Sequence, residues 1–185
     1  MKAITEARLD ERSARSIAAG RLNAIRERVL SVKLSTLPHK RGAATRQCLV
    51  HMHTLFGNWV LGEIIIKNRF ACVVVADPHP VLNGWIDVYF IQVDLKKRER
   101  DVDFRVLFSI SAHATARLLE RRRDVDIERL IAEELADIAV LRAVMDNYNN
   151  NANSEFVLQT VNGEFRGYRD HGKLIAATWI GRKPN

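Results

Sequence analysis

Leu9, Ala14, Ile17, Ala18, Leu22, Ile25, Val29 and Leu30 recur at three- and four-residue steps among charged neighbours, the period of one helix face. They predict a long helix over residues 4–34, weakened at Gly20 and stopped at Pro38 and the HKRG that follows. Its apolar side is narrow and alanine-rich, so it needs a surface to pack on: the rest of the chain or a second copy. A shorter helix is expected over residues 44–56. The period then drops to two. WVLGEIIIKN and RFACVVVAD read as strands joined at Lys67-Asn68. After the turn residues of DPHPVLNG, the run 85–95 places Trp85, Asp87, Tyr89, Ile91 and Val93 on one face and Ile86, Val88, Phe90, Gln92 and Asp94 on the other.

A charged turn leads to a fourth strand, residues 104–110. Ser109 or Ser111 can then cap a helix starting near Ala112. That helix should break at RRRDVD, with Asp124 or Asp126 capping a longer amphipathic helix over residues 127–145. The asparagine-rich stretch after it reads as a loop, followed by strands in FVLQT, GEFRGYRD and KLIAATWI, the last two joined at Asp170-His171-Gly172. In the final strand Leu174, Ala176, Thr178 and Ile180 should share one face and Ile175, Ala177 and Trp179 the other. The predicted class is α+β: N-terminal helices, an antiparallel β meander, two central helices and C-terminal antiparallel strands. The expected division is a basic helical region, residues 1–46, and an α+β domain, residues 47–185.

Charge changes the picture because it is unevenly spread. The net charge is +7. Residues 1–46 hold eleven Lys/Arg against four Asp/Glu, residues 96–123 nine against four, and residues 124–155 two against eight. Two basic blocks and one acidic block point to a polyanionic partner such as RNA, or to self-association through the N-terminal helix. No apolar run approaches the length of a membrane span. The first fifteen residues lack an apolar signal core, so a cytoplasmic location is expected, and Cys48 and Cys72, both in apolar surroundings, should be buried reduced thiols. The chain has no Gly-rich phosphate loop, dinucleotide fingerprint, G-x-S-x-G or paired C-x2-C, which disfavours P-loop hydrolysis and zinc-finger reading. No cofactor is expected.

Candidate chemistry concentrates on residues 108–123. On a helix His113, Arg117 and Arg121 stand at i, i+4 and i+8 and project from nearly the same side. An imidazole can exchange a proton near neutrality, and arginine forks bind phosphate oxygens. His171 in the last turn or Thr178 on the last strand would supply a second group, and Lys96, Lys97, Arg98 and Arg122 would extend the nucleic-acid contact. The alternative is a helix-start histidine beside solvated arginines. Other candidates are weaker. Cys48, His51 and His53 form C-x2-H-x-H without a second cluster, so they read as residues of a partly buried helix rather than a metal site. Asp77, Glu63 and Asp94-Leu95-Lys96 would suit a Mg²⁺-dependent, restriction-endonuclease-like nuclease, with ordinary strand-end charges as the alternative. His79 between two prolines marks a turn. Trp85 and Tyr89 would stack on bases unless they belong to the core.

The stretch Ser111, His113, Ala114, Arg117 and Arg121, followed by an acidic helix and strands ending in AATWI, resembles the small ribonuclease-toxin domains of the barnase, colicin and RelE-type group. The resemblance covers at most residues 108–180. It implies metal-independent cleavage or binding of the RNA backbone, with His113 as acid–base group, Arg117 and Arg121 as phosphate clamp, Thr178 as a late polar residue on the sheet, and an inhibitor protein as a partner. The chain departs from that group in its acidic helix, residues 127–145, and its large N-terminal region. A non-catalytic nucleic-acid-binding or self-associating module is the competing expectation.

Overall fold

The computed structural model describes residues 23–25, 27, 29, 41–67, 69–78, 82–95, 101–137, 140–143, 146, 155–170 and 173–182. Its centre is a seven-stranded sheet. Helix α1 (Arg41–Phe56) and one 3-10 turn (Gly57–Trp59) lead into β1 (Val60–Ile66), β2 (Phe70–Pro78), β3 (Ile86–Asp94) and β4 (Asp101–Ile110). Helices α2 (Ala112–Arg122) and α3 (Ile127–Leu135) follow, then β5 (Glu155–Gln159), β6 (Gly163–Asp170) and β7 (Lys173–Gly181). Spatial order is β1-β2-β3-β4-β7-β6-β5. Every pairing is antiparallel except β4 with β7, which is parallel and joins the two meanders. The class is α+β as the periodicity predicts.

The strand alternation sorts residues into two cores. Cys72, Val74, Ala76, Ile86, Val88 and Phe90 pack beneath α2 and α3, with Leu118, Leu130, Ile131 and Leu135 above them. Ala71, Val73, Val75, Tyr89, Ile91 and Val93 face the other way and pack with Cys48, Leu49 and Met52 of α1 and with Ile25 and Val29. Strands β2 and β3 are thus apolar on both faces because both are covered. Ile25 and Val29, four residues apart, are helical and buried, and the rest of the expected helix over residues 4–34 falls mostly outside the described residues. α1 runs straight through the expected boundary at residues 46 and 47. Cys48 and Cys72 are free, buried thiols in opposite cores. Among the described residues no helix is long and apolar enough to cross a membrane.

Two expectations are corrected. Register skips Ala177 between Arg166↔Thr178 and Gly167↔Ala176, a β-bulge that turns the strand over by one residue. Trp179 therefore joins Leu174 and Ala176 in the helix-side core, and Thr178 goes to the opposite face beside Arg166. The long acidic helix is also interrupted: α3 ends at Leu135 with Ala136 as its cap, and helical residues resume at Val140. The interruption lets Leu141 settle over Gly62, where an added Cβ would come within 2.6 Å of Leu141 Cδ1.

Candidate functional site

Ser111 begins α2. It has extended backbone (φ −70°, ψ 158°) and its Oγ accepts from the Ala114 amide at 3.2 Å, satisfying one of the orphan N–H groups at the helix start. The same hydroxyl donates to Ala177 O at 3.2 Å, and the Ser111 amide donates to Ala176 O at 2.9 Å. The start of α2 is therefore fixed to the bulge of β7. Ala114, Thr115 and Leu118 face the core, which leaves His113, Arg117 and Arg121 along the outward side, about 12 Å from first to last. Arg123 ends the helix in the left-handed region (φ 52°), its amide donating to Leu119 O.

The row holds as a helix face, but its members differ in what they touch. Arg117 Nη1 donates to Glu120 Oε2 at 2.9 Å. Arg122, set down above as a nucleic-acid contact, is instead tied inward: Nη2 lies 2.7 Å from Glu133 Oε2 and Nη1 3.5 Å from Glu134 Oε1, with the side chain a quarter exposed. His113, Arg121 and Arg123 are exposed, and their side chains have no hydrogen-bond or ion-pair partner among the described residues. Thr178 sits across the sheet from α2, so it does not meet His113. His171, Lys96, Lys97, Arg98 and His79 lie outside the described residues.

The other candidates are accounted for by packing. Asp77 pairs with Asp87 at one end of the β2–β3 ladder and Asp94 pairs with Phe70 at the other, roughly 24 Å apart at strand rise. They cannot share one metal ion, and Asp94 is already gripped by the Arg69 guanidinium through both oxygens. That hydrogen-bonded pair raises the Arg69 pKa above its ordinary value. Glu63 is 2.9 Å from His53. Burial lowers the pKa of His51 and Cys48 is in the core; among the described residues no group of three metal-binding side chains gathers. Tyr89 is a core residue whose hydroxyl donates to Asp87 Oδ2 at 3.1 Å, and Ser109 Oγ donates to Asp87 Oδ1 at 2.6 Å.

Two features escaped the sequence. Glu134 of α3 is fully buried, its carboxylate accepting from Thr160 Oγ1 (2.5 Å), Asn162 N (3.1 Å) and Asn162 Nδ2 (3.0 Å). The visible signal was a charge in the apolar stripe of Leu130, Ile131 and Leu135. The second is a cavity of about 310 Å³ whose walls include Gly62, Ile64, Cys72, Val74, Phe90, Ala136, Leu141 and Arg142. None of His113, Arg117 or Arg121 borders it. Burial pushes the Cys72 thiol up to about 11, so near neutrality it is an inert wall rather than a nucleophile. Comparison of the chain with protein-family models, with curated proteins and with solved structures finds no match in any of the three.

Proposed function

We propose that this protein binds the phosphate backbone of RNA through the outward side of α2. The observation that carries the reading is the pair of exposed side chains Arg121 and Arg123 at the C-terminal end of α2, unpartnered among the described residues and within a strongly basic block, residues 96–123, that also holds His113 at the start of the helix. Arginine without an internal carboxylate is a fork available for phosphate oxygens. An ion pair such as Arg122–Glu133 has already spent that capacity. Binding is the part of the ribonuclease-toxin expectation that this arrangement supports. Cleavage would further require a second proton-transfer group within reach of His113, and Thr178 is across the sheet.

The test is binding of a labelled single-stranded RNA as a function of salt, with wild type and the Arg121→Ala/Arg123→Ala double variant. Each lost phosphate contact should reduce the slope of log affinity against log salt by about 0.7, so the double variant should lose about 1.4. An unchanged slope would remove α2 from the interface. Intact RNA after incubation with both wild type and His113→Ala identifies a binder; cleavage by wild type alone would restore the catalytic role of His113.

A second reading, self-association, rests on β1. This strand is a sheet edge, and Ile64, Ile65 and Ile66 are 43%, 40% and 38% exposed. An exposed apolar edge is a template for pairing with another strand. Sedimentation velocity of wild type and Ile65→Lys tests it: a concentration-dependent shift in the first that vanishes in the second supports pairing, and identical monomers reject it.

A further inference from the structure

The cavity between the sheet and the segment after α3 has the construction of a small-molecule site. Its floor is three strands wide. Gly62 and Ile64 of β1 pair with Val74 and Cys72 of β2, and Val74 pairs in turn with Phe90 of β3, so these five residues project from one side of the sheet. The two smallest, Gly62 and Cys72, leave the centre low. Ile64, Val74 and Phe90 rise around it, and Ala136 and Leu141 form the roof. Leu141 covers Gly62 but does not fill the hollow. Glu63 and Val73 reach it only with backbone; the Glu63 carboxylate is turned to the other face, where it meets His53. The volume of about 310 Å³ is roughly twice that of an apolar cavity that holds benzene, and lies at the lower end of the range for ligand pockets.

Charge decides which ligand fits. Arg142 lines the cavity and is exposed, with no ion pair or hydrogen bond among the described residues. We infer that the cavity binds a small amphipathic carboxylate, its apolar body of about a dozen carbon atoms on Cys72, Val74 and Phe90 and its anionic end at the Arg142 guanidinium. The protonated Cys72 thiol adds a soft apolar wall and no competing anion. This site is separate from the α2 surface, and neither reading depends on the other.

The experiment titrates the full chain with 2-naphthoate, a rigid anionic double ring, and with neutral 2-naphthalenemethanol and cationic 2-naphthylmethylammonium, following ligand fluorescence and backbone amide NMR shifts. Naphthoate should saturate one site below about 1 mM, with the largest shifts at Gly62, Cys72, Phe90 and Leu141, and bind more tightly than the cation. Arg142→Gln, a surface change, should weaken naphthoate about tenfold and leave the alcohol unchanged. Cys72→Met should block both by filling the centre. If that variant does not fold, the position of the amide shifts in wild type decides. No saturation, shifts centred elsewhere, equal binding of the cation, or an Arg142→Gln variant that binds naphthoate like wild type would each overturn the assignment.

Discussion

Glu134 on α3 takes both the backbone amide and the side-chain amide of Asn162, and so binds the helix layer to the turn between β5 and β6. Thr160 adds a third donor, and Arg122 of α2 closes the set at 3.5 Å. One carboxylate therefore connects two helices and a hairpin, in a place from which water is excluded. Removing it orphans several donors at once. Glu134→Ala should lower unfolding free energy by about 3 kcal/mol and Thr160→Val by about 1 kcal/mol, measured by urea denaturation. A Glu134→Ala loss no larger than that of Thr160→Val would show that the carboxylate does not hold the layers together.

The two glycines Gly57 and Gly167 should respond to alanine in different ways. At Gly167 a Cβ would lie 1.9 Å from the Ile175 carbonyl oxygen, a backbone atom that cannot step aside, so Gly167→Ala should cost about 3 kcal/mol. At Gly57, φ is +57° and the space is open, so Gly57→Ala should cost only the left-handed penalty of about 1 kcal/mol. Thermal melts of the pair check the order, and equal losses would contradict close packing of the bulge against β6.

Cys72 gives an alkaline limb of predictable sign. Burial raises its folded pKa from 9.0 to about 11, so between those values the unfolded chain gives up a proton that the folded chain keeps. The stabilisation is whole below pH 9 and is lost as pH rises toward 11. Over this window it amounts to about 2–3 kcal/mol. The difference in stability between wild type and Cys72→Ala should shrink by about that amount from pH 8 to pH 11, with the other alkaline titrations cancelling. A difference independent of pH would mean that the thiol is solvated in the folded state.

Ser111 serves two partners, the Ala114 amide and the Ala177 carbonyl. Ser111→Ala should cost about 1–2 kcal/mol. Amide exchange should accelerate first in the opening turn of α2 and at the β7 bulge together. Acceleration confined to α2 would show that the hydroxyl serves the helix alone.

Elements with a sustained period were legible in the sequence. β2 was readable as a strand from its β-branched apolar run and β3 with its two faces, while Ser109 or Ser111 and Asp124 or Asp126 marked the helix starts, of which Ser111 and Asp126 are the caps. What the sequence did not show are departures set by tertiary packing. The Ala177 bulge leaves no glycine or proline at its position, yet it moves Thr178 away from α2 and Trp179 into the core. The end of α3 at Ala136 likewise has no glycine or proline to mark it. For the candidate site, the helical spacing of His113, Arg117 and Arg121 was readable. That Arg122 was already paired was not, since its partners Glu133 and Glu134 come from another helix.

The parallel junction of β4 with β7 governs how this chain must assemble. Every other neighbouring pair of strands is antiparallel, whereas the contact of Ser111 with Ala177 beside that junction spans 66 residues. Closing so long a loop is entropically slower than zipping a hairpin. Each meander is therefore expected to form early and alone, leaving the suture between them as the last event of folding and the first line along which the molecule parts under stress.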